Sequence, residues 1–329
     1  MANLTITLGC WNYDRVKPII DGRVGVEGCN VAPIVLPTSE LFPRAVQRQE
    51  FDVSELSVSS HILQVSRGDA GYVAIPVFPS RAYRHACIYV RTDRGIETPK
   101  DLEGKIVGVP EYQMTLALWL RGILQDVYGV DFRTLHYRTG GTNVAGRKER
   151  LPLKLPGHMD VQPISPDKCL NDLLVAGEID AIMTPMPPTA FSEGSPLVRR
   201  LFTDVAAVER DYYRETGFFP IMHVVGVRRS MVEQHPWLAQ NIFDAFTAAK
   251  QVAMNELEDI ARGNANRITL PWFAAEWEAT KAMMGEDFWP YGLSANRKEL
   301  ETLCRYSSEQ YLAERAVSVD EIFELPKVG

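Results

Sequence analysis

Apolar and polar residues are arranged in two alternating rhythms along the chain. Leu4, Ile6 and Leu8 alternate with polar or small neighbours, the period-two pattern of a half-buried strand over 4–10. Short apolar runs at 86–90, 105–109, 179–183 and 223–227 predict further buried strands. Between them the period lengthens. In "PEYQMTLALWLRGILQDVYG" the residues Leu116, Trp119, Leu120, Ile123, Leu124 and Val127 fall at helical spacing, with Pro110 to open the segment and Gly129 to close it. "SPDKCLNDLLVAG" predicts a second helix, with Ser165 as N-cap, Pro166 in the first turn and Gly177 as the stop. "HPWLAQNIFDAFTAAKQVAMNELED" follows the same grammar. Strands alternating with helices predict an α/β protein built in layers.

"GRKERLPLKLPGHMDVQPISPDK" (146–168) breaks the pattern. Prolines 152, 156, 163 and 166 forbid a regular element, and five basic residues favour a solvated surface loop over a lid or a subunit contact. No repeat or low-complexity tract is present. A chain of 329 residues that is 46% apolar suits one large or two medium domains.

Charge narrows the partners. Lys and Arg number 35 against 42 Asp and Glu, a net −7, which gives no general attraction for nucleic acid or an acidic membrane. Yet "IPVFPSRAYRHACIYVR" (75–91) gathers Arg81, Arg84, His85 and Arg91 between two strand-like runs. Such local positive charge suits a small anion. Cysteines 10, 29, 87, 169 and 304 are scattered, without a CxxC pair, so free thiols and a reducing compartment are expected. The first residues carry no leader pattern, and no apolar run approaches a membrane span. A cytoplasmic location is expected.

Two phrases resemble the second lobe of type II periplasmic binding proteins: "TPKDLEGKIVGVPEYQMTLALWLRGIL" and "LLVAGEIDAIM". The resemblance implies two α/β lobes joined by two crossing hinge strands around a central cleft. Residues 1–91 and 222–329 would form lobe one, and 92–221 lobe two. "FDVSELSVSSH" (51–61), "IPVFPSRAYRH" (75–85) and "FPIMH" (219–223) together resemble the 4,5-dihydroxyphthalate decarboxylases, from Leu4 to about Phe246. That resemblance implies a cytoplasmic enzyme of aromatic catabolism, acting on a ring with adjacent carboxylates and adjacent hydroxyls.

Such chemistry sets three requirements. Direct loss of CO2 would leave an aryl carbanion, so the ring carbon bearing the carboxylate is protonated first. Electron density comes from the para hydroxyl as it loses its proton. The site needs cations for a dianion, an acid above the ring carbon and an acceptor at the catechol edge. Arg81 and Arg84 are the candidate cations, since guanidinium grips carboxylate through two parallel bonds. His85 and His223, one near each crossing strand, are candidate acids, with structural hydrogen bonding as the alternative. Glu55 would orient a histidine or accept a catechol proton; pairing with an arginine is the alternative. The resemblance gives Ser57, Ser59 and Ser60, in a serine-rich turn, as ligand contacts. Tyr112, Gln113 and Thr115 would meet the anion at a helix N-terminus, and Trp11 and Tyr13 would stack on the ring.

No cofactor is expected, because the catechol is itself the electron reservoir. Glu55, His61, His85 and His223 keep a divalent metal open without an HxH or HExxH motif to call for it. The expected partners are a small aromatic dicarboxylate and further copies of the chain, with neither nucleic acid nor membrane. The rival readings are a solute-binding protein for an aromatic carboxylate and a decarboxylase of a related hydroxybenzoate.

Overall fold

The structure, a computed structural model, describes residues 3–263, 265 and 267–323. In chain order, β1 (Leu4–Cys10), β2 (Cys29–Val35), β3 (Val53–Ser57) and β4 (Tyr72–Arg81) lie in a first sheet. A second sheet holds β5 (Ile88–Arg91), β6 (Ile106–Val109), β7 (His136–Thr139), β8 (Val161–Pro163), β9 (Ala181–Met183) and β10 (Val198–Arg200). β11 (Ile221–Arg228) then returns to the first. The orders are β2-β1-β3-β11-β4 and β10-β5-β9-β6-β7-β8. β1 runs parallel to β2 and β3, whereas β11 is wedged antiparallel between β3 and β4. All of β3 and nearly all of β4 are buried, as expected of strands covered on both faces.

Every strand expected from the apolar runs is present, displaced by at most two residues at an end. Two helix starts move. Pro110–Met114 form a turn and the helix is Thr115–Asp126; the other helix is Leu170–Ala176, with Cys169 rather than Ser165 at its N-cap. Its first N–H groups need no serine, because Leu170 and Asn171 donate to the carbonyls of Gly141 and Thr142 (both 2.8 Å). Gly177 ends it at φ +74°, a left-handed stop that glycine adopts without strain. The serine-rich turn is also helical: Ser57 ends β3, and Ser59 and Ser60 open the helix Val58–Arg67.

The chain changes sheet earlier than the expected lobe limit at 91. β5 already pairs with β9 and β10 (Ile88 opposite Met183, Arg91 opposite Val198), so the crossing lies at 82–87. The outgoing and returning connections touch where Ala82 N–H donates to Pro220 O (3.0 Å). Nor does the C-terminal part belong to one side. The helix Leu238–Ala261 covers the first sheet, but the helix Arg297–Glu309 packs on both Val58–Arg67 and Thr115–Asp126. A Cβ on Gly122 would fall 2.2 Å from the Tyr306 ring, so glycine permits that close approach. Tyr306 also donates to Asp126 (2.7 Å).

Candidate active site

β3 and β11 carry a diagonal pair on one face of the first sheet. Their register sets Ser57 opposite His223 and Glu55 opposite Val225. The pairing of β11 with β4 slips on either side of His223, and such irregularities re-aim a side chain. The His223 imidazole thereby meets the Glu55 carboxylate, with Nδ1 2.6 Å from Oε1. Glu55 is fully buried and also accepts from the Tyr13 hydroxyl (2.7 Å) and the Trp11 backbone N–H (3.0 Å). Burial by itself would push the Glu55 carboxyl up. The hydrogen bond and charge of His223, with the Tyr13 and Trp11 donors, outweigh it and hold the group below its usual 4.5. Burial, then the Glu55 charge, pushes the Tyr13 phenol far up. Near neutrality Glu55 is a carboxylate, held between the Tyr13 hydroxyl and the His223 ring. Phe42 stands edge-on to the His223 ring at 4.9 Å.

The start of Thr115–Asp126 closes on this array from the other lobe. Thr115 Oγ1 shares a hydrogen bond with Ser57 Oγ (2.9 Å) and accepts from Ser59 N–H (3.2 Å). Ser60 Oγ donates to Gln113 Oε1 (3.4 Å), while Ser59 Oγ is buried without a partner among the described residues. Beside them lies Arg150, its side chain 6% exposed. Its Nη1 donates to Ser60 Oγ (3.3 Å) and its Nη2 to Glu111 Oε1 (3.1 Å), and the guanidinium carbon lies 5.2 Å from the centre of the Phe42 ring.

No protein-family model matches the chain. It is 37% identical over 323 residues to a 4,5-dihydroxyphthalate decarboxylase of Comamonas testosteroni, covering 98% of this chain and 97% of that one. A relative of the same name from Pseudomonas putida is 39% identical over 218 residues, 66% of this chain and 84% of that one. The chain belongs to the 4,5-dihydroxyphthalate decarboxylase family. The fold is also that of the periplasmic aliphatic sulphonate binding protein SsuA from Escherichia coli (TM-score 0.55, 14% identity, 98% and 97% of the two chains). The desulfurization enzyme DSZB is similar as well (TM-score 0.51, 15% identity, 97% and 96%). At these identities the two structures speak for the fold alone, a two-lobed one of the periplasmic-binding-protein type.

In this member of the 4,5-dihydroxyphthalate decarboxylase family the candidate residues divide. Trp11, Tyr13, Glu55, Ser57, Ser59, Ser60, Gln113, Thr115 and His223 come together. Arg81 does not join them. It is buried and spends its donors on Glu299 (3.2 Å), Asn296, Phe219 O (2.9 Å) and Pro290 O (3.0 Å), a network that ties the C-terminal part to β4. Arg84 turns its Nε to Met222 Sδ (3.0 Å) and its charge toward Cys87 and Glu209. His85 is enclosed by the rings of Tyr128, Phe202 and Tyr212, with both ring nitrogens buried and unpartnered among the described residues. Burial pulls it down from 6.5 to about 4, so it is neutral near pH 7. Tyr112 is fully buried under the Arg121 guanidinium, 3.7 Å from the ring centre, and presents no face to a ligand.

The four groups considered for a metal are also dispersed: His61 faces Ile322 O (3.5 Å) and His85 its aromatic cage, away from Glu55 and His223. Among the described residues no group of three or more His, Cys, Asp or Glu is placed to hold a metal ion. The sequence reading missed Phe42 and Arg150. Arg150 belongs to the loop expected to be solvated, but the alternation of Leu151, Leu153 and Leu155 just after it is a packing signal, and Leu153 and Leu155 rest against the core. No helix is long and apolar enough to cross a membrane among the described residues.

Proposed function

We propose that the chain decarboxylates 4,5-dihydroxyphthalate to protocatechuate, with His223 as the acid that protonates the ring carbon. The observation that supports this best is the 2.6 Å contact between His223 and the buried Glu55 carboxylate, in a chain aligned with a decarboxylase over almost its whole length. With Nδ1–H donating to Glu55, the transferable proton sits on Nε2. The buried carboxylate fixes the ring and stabilises the imidazolium before transfer. As the para hydroxyl gives up its proton to solvent, density reaches the ring carbon and the Nε2 proton adds there. The C–C bond to the carboxylate then breaks, its electron pair returns through the ring to the oxygen, which is reprotonated, and CO2 departs as aromaticity returns. Trp11, beside Tyr13 at 5.9 Å between ring centres, offers an exposed indole face for the substrate ring.

The chemistry calls for no organic cofactor and no metal, because the catechol carries the electron pair throughout. Turnover therefore persists after exhaustive chelation; loss that one divalent ion restores would overturn this. We place the protein in the cytoplasm, which suits five free, buried thiols, and read it as a homo-oligomer, for which the exposed Leu270 and Trp272 supply apolar surface.

The deciding experiment follows CO2 and protocatechuate from 4,5-dihydroxyphthalate in deuterium oxide. Deuterium is expected at the carbon that lost CO2, and His223→Gln is expected to lower kcat by about two to four orders of magnitude. Tight binding without CO2 release would favour a solute-binding role.

A further inference from the structure

The decarboxylation reading leaves the dianion without a cation, because Arg81 is consumed by its own network and Arg84 faces Met222. Arg15 is also committed: it donates to Asp14 (2.9 Å) and Pro79 O (2.7 Å) and lies over the Trp289 ring at 3.8 Å. Arg150 differs from all three. It is drawn out of solvent between the lobes, with Ser60 and Phe42 on one side and Glu111 on the other. Its Nε, like that of Arg81, is buried and has no hydrogen-bond partner among the described residues. Among the described residues its Nη1 is held only by a serine hydroxyl at 3.3 Å, a bond that a carboxylate would readily replace.

Local charge favours an incoming anion. Arg147, Lys148 and Arg150 are set against Glu111 and Glu149, around a pocket of about 340 Å³. Glu111 accepts from Arg147 at 2.6 Å and keeps that partner if Arg150 turns to a ligand. Phe42 is the common neighbour of Arg150 (5.2 Å) and His223 (4.9 Å), so the guanidinium and the imidazole are set around one aromatic side chain.

We infer that Arg150 grips the carboxylate that is retained, and so selects ortho-dicarboxylates over rings bearing one carboxylate. The argument rests on the proposed decarboxylation. A guanidinium on the departing carboxylate would stabilise charge that vanishes in the transition state, and so would slow the step. On the retained carboxylate its attraction is equal in both states and acts through binding. Arg150 therefore positions and selects; His223 performs the proton transfer.

The test compares wild type with Arg150→Gln and Arg150→Lys. Inhibition by protocatechuate, which bears the retained carboxylate, is measured beside inhibition by catechol, which bears none. In Arg150→Gln the KM for 4,5-dihydroxyphthalate and the Ki of protocatechuate are expected to rise together by about 10- to 100-fold, with kcat changed less. The Ki of catechol stays at the wild-type value, and Arg150→Lys falls between. A protocatechuate Ki that does not move, or a catechol Ki that rises as much, overturns the assignment. Calorimetry with phthalate separates this from the decarboxylation itself. If wild type releases no CO2, phthalate binding that is lost in Arg150→Gln still supports Arg150 as the carboxylate site. Wild type that fails to bind phthalate, or binds it no better than the variant, removes it.

Discussion

His223 and Glu55 lie on neighbouring antiparallel strands, two residues out of register, and their side chains meet at 2.6 Å on one face of the sheet. The carboxylate is fully buried while the imidazole keeps 15% of its side-chain surface, so the pair is polar inside and reachable outside. A buried acid that remains charged needs several donors. Glu55 has three.

Glu55→Gln retains size and removes charge. We expect kcat to fall by about 100-fold or more while KM changes little, because the ring of His223 loses its orienting carboxylate. The same variant carries a stability signature. A carboxyl held below 4.5 stabilises the fold above that pH, and the gain is lost as pH falls through its lower native value. Urea midpoints taken from neutrality down to about pH 3 should decline less in Glu55→Gln than in wild type.

His85→Leu should turn over at near the wild-type rate. The unfolded chain takes up a proton at His85 near pH 6.5, the caged native ring only near about 4, so stability is lost between these values as pH falls. Leucine removes that loss, about 3 kcal/mol by the size of the shift. Thermal unfolding at both ends of the window reads it, and a large drop in kcat would return His85 to the site.

Arg81→Ala should act on stability, by about 3–5 kcal/mol, because it strands a buried Glu299. Burial pushes Glu299 up from 4.5 to about 7, against the opposing pull of Arg81. A raised acid stabilises below its unfolded value and loses that contribution as pH rises through about 7. The variant should therefore suffer more in alkaline buffer than in acid. Equal losses in denaturant titrations on either side of neutrality would argue against the network.

Gly122→Ala places a methyl against the Tyr306 ring. We expect destabilisation of about 1–3 kcal/mol, since both helices are pinned elsewhere and cannot part freely. Adding Tyr306→Ala should recover part of the loss; a purely additive double variant would show that the contact is slack.

The apolar rhythm is sufficient for five strands, β1, β5, β6, β9 and β11, because each such run is read from neighbours in sequence. It does not delimit the other six, among them β3, which carries Glu55, and β8, a three-residue strand inside the proline-rich segment 146–168. The place of Arg81 is not legible, for the opposite reason. Its partners Asn296 and Glu299 lie more than 200 residues away, and a basic residue beside a turn looks the same with or without them. His85 and His223 look alike in the sequence because both stand near crossing segments; only the packing of Tyr128, Phe202 and Tyr212 separates a caged ring from a reachable one. Arg150 was hidden among prolines and basic residues, in a loop whose charge outweighed its leucines.

Arg121 sits in the middle of the helix Thr115–Asp126, completely enclosed, and its Nε finds its acceptor in Gln310 Oε1 (2.6 Å). Gln310 also donates to Leu118 O (3.0 Å). On the ribosome almost two hundred residues must be made between the arginine and that partner. A nascent chain that packs its second sheet early therefore holds an arginine it cannot yet bury, and the lobe stays loose until the last helices emerge. Because that closing segment also packs on Val58–Arg67, both walls of the cleft depend on residues that are made late. A chain broken off before residue 297 would be left without a formed site, and would be recognised as unfinished by any protease that samples loose helices.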